Sequence, residues 1–89
     1  MARIRLPAAL MELAGRDEIE VSGATVLQAI QALDALHPGL ADRICTDQNE
    51  PRNNTLIYVD DVEIRQLHGM KTRLSGDEII YVVRERPTV

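Results

Sequence analysis

Both ends of the chain have the pattern of a β-strand, and this feature constrains the fold most. In residues 1–6, apolar side chains alternate with Arg3 and Arg5, as in a strand with one buried face. Residues 78–83 are apolar on both sides, as in a strand at the centre of a sheet. A long crossover allows two such strands to pair in parallel. We therefore predict that the first and last strands lie side by side.

One long helix is predicted between these strands. Thr25 stands three residues before Gln28, which is the spacing of a capping box at a helix start. Pro38 and Gly39 end the helix near His37. The apolar residues of the segment recur at helical spacing and form its predicted core stripe: Val26, Ala29, Ile30, Leu33 and Leu36.

Three further strands are predicted at 18–21, 56–60 and 62–64, with a tight turn between the last two. Residues 8–13 are expected to be a short apolar connection. Residues 42–54 contain many Asp, Asn, Glu and Pro residues, so we expect a solvated loop there. With the helix over one face, this order predicts an α+β protein with the β-grasp, or ubiquitin-like, architecture and a mixed sheet of four to five strands.

The length of 89 residues allows one domain, and we assign all of 1–89 to it, with a short exposed tail from about residue 84. The net charge of −4 argues against nucleic-acid binding, which needs gathered positive charge. The single cysteine cannot form an internal disulfide or a cysteine-based metal site. No signal peptide, membrane-spanning segment or cofactor motif is visible. We expect a cytoplasmic protein that has no cofactor and is not an enzyme.

Five segments then carry a resemblance to a known family. They are Met11-Glu12-Leu13-Ala14-Gly15, Gly23-Ala24-Thr25-Val26, His37-Pro38-Gly39-Leu40, Tyr58-Val59-Asp60-Asp61-Val62-Glu63-Ile64-Arg65 and Leu74-Ser75-Gly76-Asp77-Glu78-Ile79. In this order and spacing the chain resembles the MoaD/ThiS family of sulfur carriers over nearly its whole length. The resemblance implies a carrier whose C-terminal glycine carboxylate is adenylated and converted to a thiocarboxylate for molybdopterin or thiamine synthesis. It also implies a protein partner, either an adenylating enzyme or a larger synthase-type subunit.

The chain departs from this family in its tail. Counted from Gly76-Asp77-Glu78, the family's Gly-Gly pair falls at Pro87 and Thr88, and no Gly-Gly occurs in the 89 residues. Proline fixes one backbone angle and lacks an N–H, and Val89 adds a β-branched side chain, so this tail fits poorly in a narrow adenylation groove. The residues therefore predict a docking protein without carrier chemistry. Two alternatives remain open: a genuine sulfur carrier with an atypical end, and an unrelated stand-alone β-grasp binding domain.

The partner surface is predicted on the sheet face opposite to the helix. If Ile79 and Tyr81 face the helix, the outer face presents four apolar side chains, which are Leu56, Tyr58, Ile80 and Val82. His68 is expected in a loop beside the tail, and Arg84 and Arg86 could steer the tail toward an acidic groove. A homo-oligomer is also open, and Cys45 is interpreted as a half-buried apolar residue rather than a persulfide carrier.

Overall fold

The computed structural model describes residues 1–84. The five strands and three helices of this part are β1 (Ala2–Arg5), α1 (Ala8–Ala14), β2 (Glu18–Val21), α2 (Val26–Leu36), α3 (Leu40–Ile44), β3 (Thr55–Val59), β4 (Val62–Glu63) and β5 (Ile79–Arg84). Two 3₁₀ turns, Ile64–Gln66 and Gly69–Lys71, lie between β4 and β5. The strands therefore fall within a residue or two of their predicted positions.

The sheet has the order β2-β1-β5-β3-β4, with β1 and β5 parallel and every other neighbouring pair antiparallel. The two terminal strands are thus side by side at the centre, as the alternation pattern predicted. Ile4 lies beside Ile80 in the parallel pair, and Val59 lies opposite Ile80 on the other side. This arrangement is the predicted α+β β-grasp fold.

The core lies between one face of the sheet and α2. Val26, Ala29, Ile30 and Leu33 are buried on α2, while Leu36, which the helical spacing placed in the same stripe, is 58% exposed. Leu36 is exposed because it is the last residue of α2, where the helix ends and the chain turns away.

The predicted N-terminal cap of α2 is formed, because Thr25 Oγ1 accepts from the Gln28 backbone N–H at 3.2 Å.

The prediction for the two faces of β5 was wrong. Ile80 and Val82 are buried in the core, with 0% and 3% exposure, whereas Ile79 and Tyr81 are half-buried on the other face. All side chains of this strand up to Val83 are apolar, so its own sequence does not encode which alternate set points inward. The register decides: Ile80 is paired with core residues on both sides, and this fixes the orientation of the whole strand.

Two helices were not predicted. The connection after β1 is α1, which buries Leu10, and the start of the expected solvated loop is α3, which buries Leu40 and Ile44. Both helices are short, at seven and five residues, and each contributes only one or two core side chains. Such segments lack a periodic apolar stripe long enough to be distinguished from a loop.

The turn before α2 requires glycine for steric reasons. A Cβ on Gly23 would lie 2.7 Å from the backbone N of Ala29, inside the first turns of α2. The chain then runs beside residues 72–74, where Val26 N donates to Thr72 O and Leu74 N donates to Ala24 O. The Gly23-Ala24-Thr25-Val26 segment thus joins the start of α2 to the loop that leads into β5.

The face assignment of β5 can be tested with two neighbouring isoleucines. We expect Ile80→Ala to lower the free energy of unfolding by about 3 kcal/mol, because a fully buried side chain leaves a cavity. The matched control, Ile79→Ala, removes the same atoms from the other face and is expected to cost about 1 kcal/mol or less. Urea denaturation followed by circular dichroism measures both values. Equal losses, or a larger loss for Ile79→Ala, would contradict the orientation described here.

Candidate protein-docking surface

The sheet face that points away from α2 is a surface on which no side chain is fully buried within the described residues. Register and alternation place seven side chains of the three inner strands, β1, β3 and β5, there: Arg3, Arg5, Leu56, Tyr58, Ile79, Tyr81 and Val83. We call this set the outer sheet face. Val83 is the most exposed of its apolar members, at 40%. The surface combines apolar side chains on β3 and β5 with cationic ones on β1.

One row of side chains crosses the outer sheet face at mid-height. Glu18, Arg5, Tyr81, Tyr58 and Glu63 lie in register on five successive strands. The two tyrosines are direct cross-strand neighbours, an arrangement that holds aromatic side chains in fixed positions. A tyrosine pair offers a large apolar area together with two hydroxyl groups, a combination that is frequent at the centre of protein interfaces.

Ion pairs stand at both ends of this row. Glu18 lies 3.6 Å from Arg3 and 3.6 Å from Arg5, and Glu63 pairs with Arg65. Desolvation acts to raise the pKa of Glu63, but hydrogen bonds from the backbone and side chain of Arg65 outweigh it and lower that pKa. Exposed pairs of this kind contribute little stability. Their effect is to fix charges at the rim around the apolar centre.

The structure brings together only part of the predicted partner-binding set. Leu56 and Tyr58 are on the outer sheet face, as expected. Ile80 and Val82 are core residues, and their places are taken by Ile79, Tyr81 and Val83. Ile79, Tyr81 and Val83 were missed by the sequence prediction because β5 has no alternating polar residues that would distinguish its two faces. The register with β3 would have identified them, because Tyr58 pairs with Tyr81.

His68 lies away from the sheet, between the two 3₁₀ turns. Its side chain is exposed, and its backbone N–H donates to Thr72 Oγ1 at 3.1 Å. It lines a shallow depression of about 280 Å³ with Leu27, Glu50 and Lys71 among others. The outer sheet face and His68 are therefore separate features of the molecule.

Arg84 is the last described residue and belongs to the other side of the sheet. It pairs in register with the buried Thr55, and its Nη2 donates to Arg43 O at 2.8 Å. The remaining tail positions of the sequence prediction, Arg86, Pro87, Thr88 and Val89, lie outside the described residues. The root of the tail is thus near the C-terminal end of α3.

Cys45 is buried directly after α3, in agreement with its interpretation as an apolar residue. Burial, and to a smaller extent the negative charge of Glu50, raise the pKa of its thiol to about 11, while Arg52 acts in the opposite direction. The nucleophilic thiolate is therefore scarce at neutral pH.

Within residues 1–84, no cluster of three or more histidine, cysteine or acidic side chains could hold a metal ion. No helix in that range is long and apolar enough to cross a membrane.

The turn before β5 has a specific electrostatic organisation. Glu78 Oε2 accepts from the Ser75 N–H at 2.7 Å and from Ser75 Oγ at 3.0 Å, and Oε1 accepts from the Gly76 N–H at 2.9 Å. These hydrogen bonds lower the pKa of Glu78 to about 2, and the bond from the Ser75 N–H has the largest effect. Burial acts in the opposite direction and raises this pKa. The Glu78 carboxylate therefore closes the turn Ser75-Gly76-Asp77-Glu78, which leads into the central strand β5.

Fold and surface together define a ubiquitin-like β-grasp protein with an exposed sheet face. No protein-family model and no curated protein matches the sequence. Solved structures do match. A chain of the Amycolatopsis orientalis BexX/CysO complex superposes with a TM-score of 0.92 at 20% identity, over 100% of both chains.

Two further solved structures show the same fold. Small archaeal modifier protein 1 from Methanosarcina acetivorans has a TM-score of 0.85 at 24% identity, over 99% of this chain and 95% of that chain. A putative molybdopterin converting factor, subunit 1, from Pyrococcus furiosus has a TM-score of 0.67 at 20% identity, over 96% and 97%. The resemblance drawn from the sequence is thus confirmed in the fold.

The role of Glu78 predicts a pH dependence. Its pKa falls from an ordinary 4.5 to about 2 on folding, so its stabilisation is complete above the unfolded value and disappears as the pH falls through the folded value. At pH 7 we expect Glu78→Gln to lower the free energy of unfolding by about 1 kcal/mol, after allowance for solvent screening. The difference from the unmodified protein should vanish between about pH 5 and pH 2.

Asp77→Asn is the matched control, because the Asp77 side chain takes no part in the hydrogen bonds of this turn. Chemical denaturation at a series of pH values gives the curves. A Glu78→Gln deficit that stays constant down to pH 2 would show that the carboxylate charge does not hold the turn.

Proposed function

We propose that this chain is a MoaD/ThiS-like, ubiquitin-like protein of the cytoplasm that acts by docking to another protein and is not itself a catalyst. The observation that carries the proposal is the outer sheet face, with a tyrosine pair at its centre and charged pairs at its rim. An apolar centre within a polar rim is the usual anatomy of a protein interface. The partner is an adenylating enzyme or a larger synthase-type subunit.

The neighbours support a protein partner. One of them is part of a complex, and another is described as a subunit of a putative molybdopterin converting factor. The sequence positions that correspond to the family's glycine pair hold Pro87 and Thr88. Because proline and a β-branched side chain restrict the backbone, docking is favoured over thiocarboxylate chemistry.

The first test of docking uses two exposed apolar side chains on different faces. Val83 is 40% exposed on the outer sheet face, and Leu36 is 58% exposed at the end of α2. We expect the tagged Val83→Asp variant to lose the partner that the unmodified protein retains from its native host, because a charge would be desolvated at the interface. Co-purification with quantitative mass spectrometry measures retention.

The control, Leu36→Asp, introduces the same charge on the helical side and should keep the partner. Both variants should melt within a few degrees of the unmodified protein, because both sites are exposed. Equal retention by both variants would remove the outer sheet face from the proposal. If the unmodified protein retains the partner no better than an unrelated tagged protein of similar charge, the docking function itself is wrong.

A second candidate function is a genuine sulfur carrier with an atypical tail, and the likeness to the solved carrier-type folds favours testing it. Incubation with the cognate adenylating enzyme, ATP and a sulfur donor should raise the intact mass by about 16 Da if a thiocarboxylate forms. We expect no such shift. A variant with Pro87→Gly, Thr88→Gly and Val89 removed is the matched control, because it ends in the family's glycine pair. A shift in the unmodified protein would establish carrier chemistry and contradict the proposal.

The third reading is an unrelated β-grasp binding domain. Retention of a partner that is neither an adenylating enzyme nor a synthase-type subunit would favour it. A second copy of the chain as the retained partner would instead identify a homo-oligomer.

A further inference from the structure

Arg84 is a half-buried cation that has no carboxylate partner among residues 1–84. Its Nη2 donates to Arg43 O, and its Nε is shielded from solvent with no hydrogen-bond acceptor in the described part of the chain. A charged donor that loses water and gains no partner lowers stability. Residues 1–84 therefore satisfy only part of the hydrogen-bonding capacity of this guanidinium group.

A second arginine binds the same end of α3. Arg52 Nε donates to Asp42 O at 2.6 Å, and the Arg52 N–H donates to Ile44 O at 3.0 Å. Arg84 thus binds the carbonyl that lies between those two in sequence. The negative end of the α3 backbone attracts both side chains. Arg43, whose backbone carbonyl Arg84 binds, has an exposed side chain on the same short helix. We call these three residues the basic cluster: Arg43, Arg52 and Arg84.

No member of the basic cluster makes an ion pair in residues 1–84. The ion pairs of this range involve Arg3, Arg5 and Arg65 instead. Asp42 is in α3 itself, and Glu50 is near enough to affect the Cys45 thiol, yet neither carboxylate comes within 4.0 Å of a cluster nitrogen. Within residues 1–84, these three arginines therefore share the end of α3 without an ion pair, on a chain whose net charge is −4.

We propose that the basic cluster is a binding site for an acidic segment of the docking partner, with Arg84 and Arg43 contacting its carboxylates. The inference rests on the proposed docking function and names the chemistry of the partner at the root of the tail. Arginine suits this role because its planar fork can bind a carboxylate through two parallel hydrogen bonds. Arg52 is held by two hydrogen bonds to α3, so it mainly adds positive charge. Because Arg84 is the last residue of the central strand, a bound acidic segment lies at that end of β5.

The test uses a short blocked peptide of alternating aspartate and glutamate, with a peptide of asparagine and glutamine as its control. Nuclear magnetic resonance of the ¹⁵N-labelled full chain follows the Nε–Hε signal of each arginine during titration at low salt. We expect a saturable shift of the Arg84 signal with the acidic peptide only. Arg84→Lys keeps the charge but loses the fork, and it should weaken binding at least about fivefold.

Arg43→Gln is the second variant. It removes a side chain of the cluster but keeps the backbone carbonyl that Arg84 binds, so folding is preserved, and it should weaken binding as well. Arg73→Lys, in the exposed loop before β5, is the matched control and should not change binding. Equal shifts at Arg73 and Arg84, no saturable shift, or unchanged binding in both cluster variants would overturn the inference. The titration contains no partner protein, so these outcomes leave the test of the outer sheet face by Val83→Asp unaffected.

Discussion

The parallel pairing of β1 with β5 is the contact on which the rest of the structure depends. It joins residues that are almost a whole chain length apart, so every intervening element must close around it. Because Ile80 lies between Ile4 and Val59, this one register places β5 in the core and sets which of its side chains reach the outer sheet face. The loop-closure entropy of so distant a contact must be offset by burial of the aliphatic core on α2.

The same dependence explains how much the sequence could predict. Strand positions, the cap at Thr25 and the central pairing followed from local patterns, because each has its own signal in a few residues. The orientation of β5 did not, because its side chains are apolar on both faces and only a distant partner distinguishes Ile79 from Ile80. The predicted placement of side chains on the outer sheet face was accordingly correct on β3 and wrong on β5. The short helices α1 and α3 were missed because tertiary burial, not periodicity, stabilises them.

Placement of the polar groups follows the division between the two faces. On the outer sheet face, Arg3 and Arg5 have Glu18 as a common partner and stay in water, where such pairs cost little. At the end of the core, Arg84 donates to a helix carbonyl, and its Nε has no acceptor among residues 1–84. Natural proteins keep few buried polar groups unsatisfied, and those that persist usually mark a function or a missing partner. The arginines of this chain therefore do not have equivalent roles.

The position of Arg84 is the last consequence of the central pairing. Since β5 runs between β1 and β3, Arg84 lies at the end of the sheet where Thr55 and the C-terminal end of α3 meet. A partner that binds Arg84 must therefore approach α3, and it reaches the outer sheet face around the same end of β5. Val83 and Arg84 are adjacent in sequence but face opposite sides of the sheet. One partner that encloses the end of β5 contacts both, with an apolar surface toward Val83 and acidic groups toward Arg84. This geometry gives a physical reason for docking to centre on the last residues of β5.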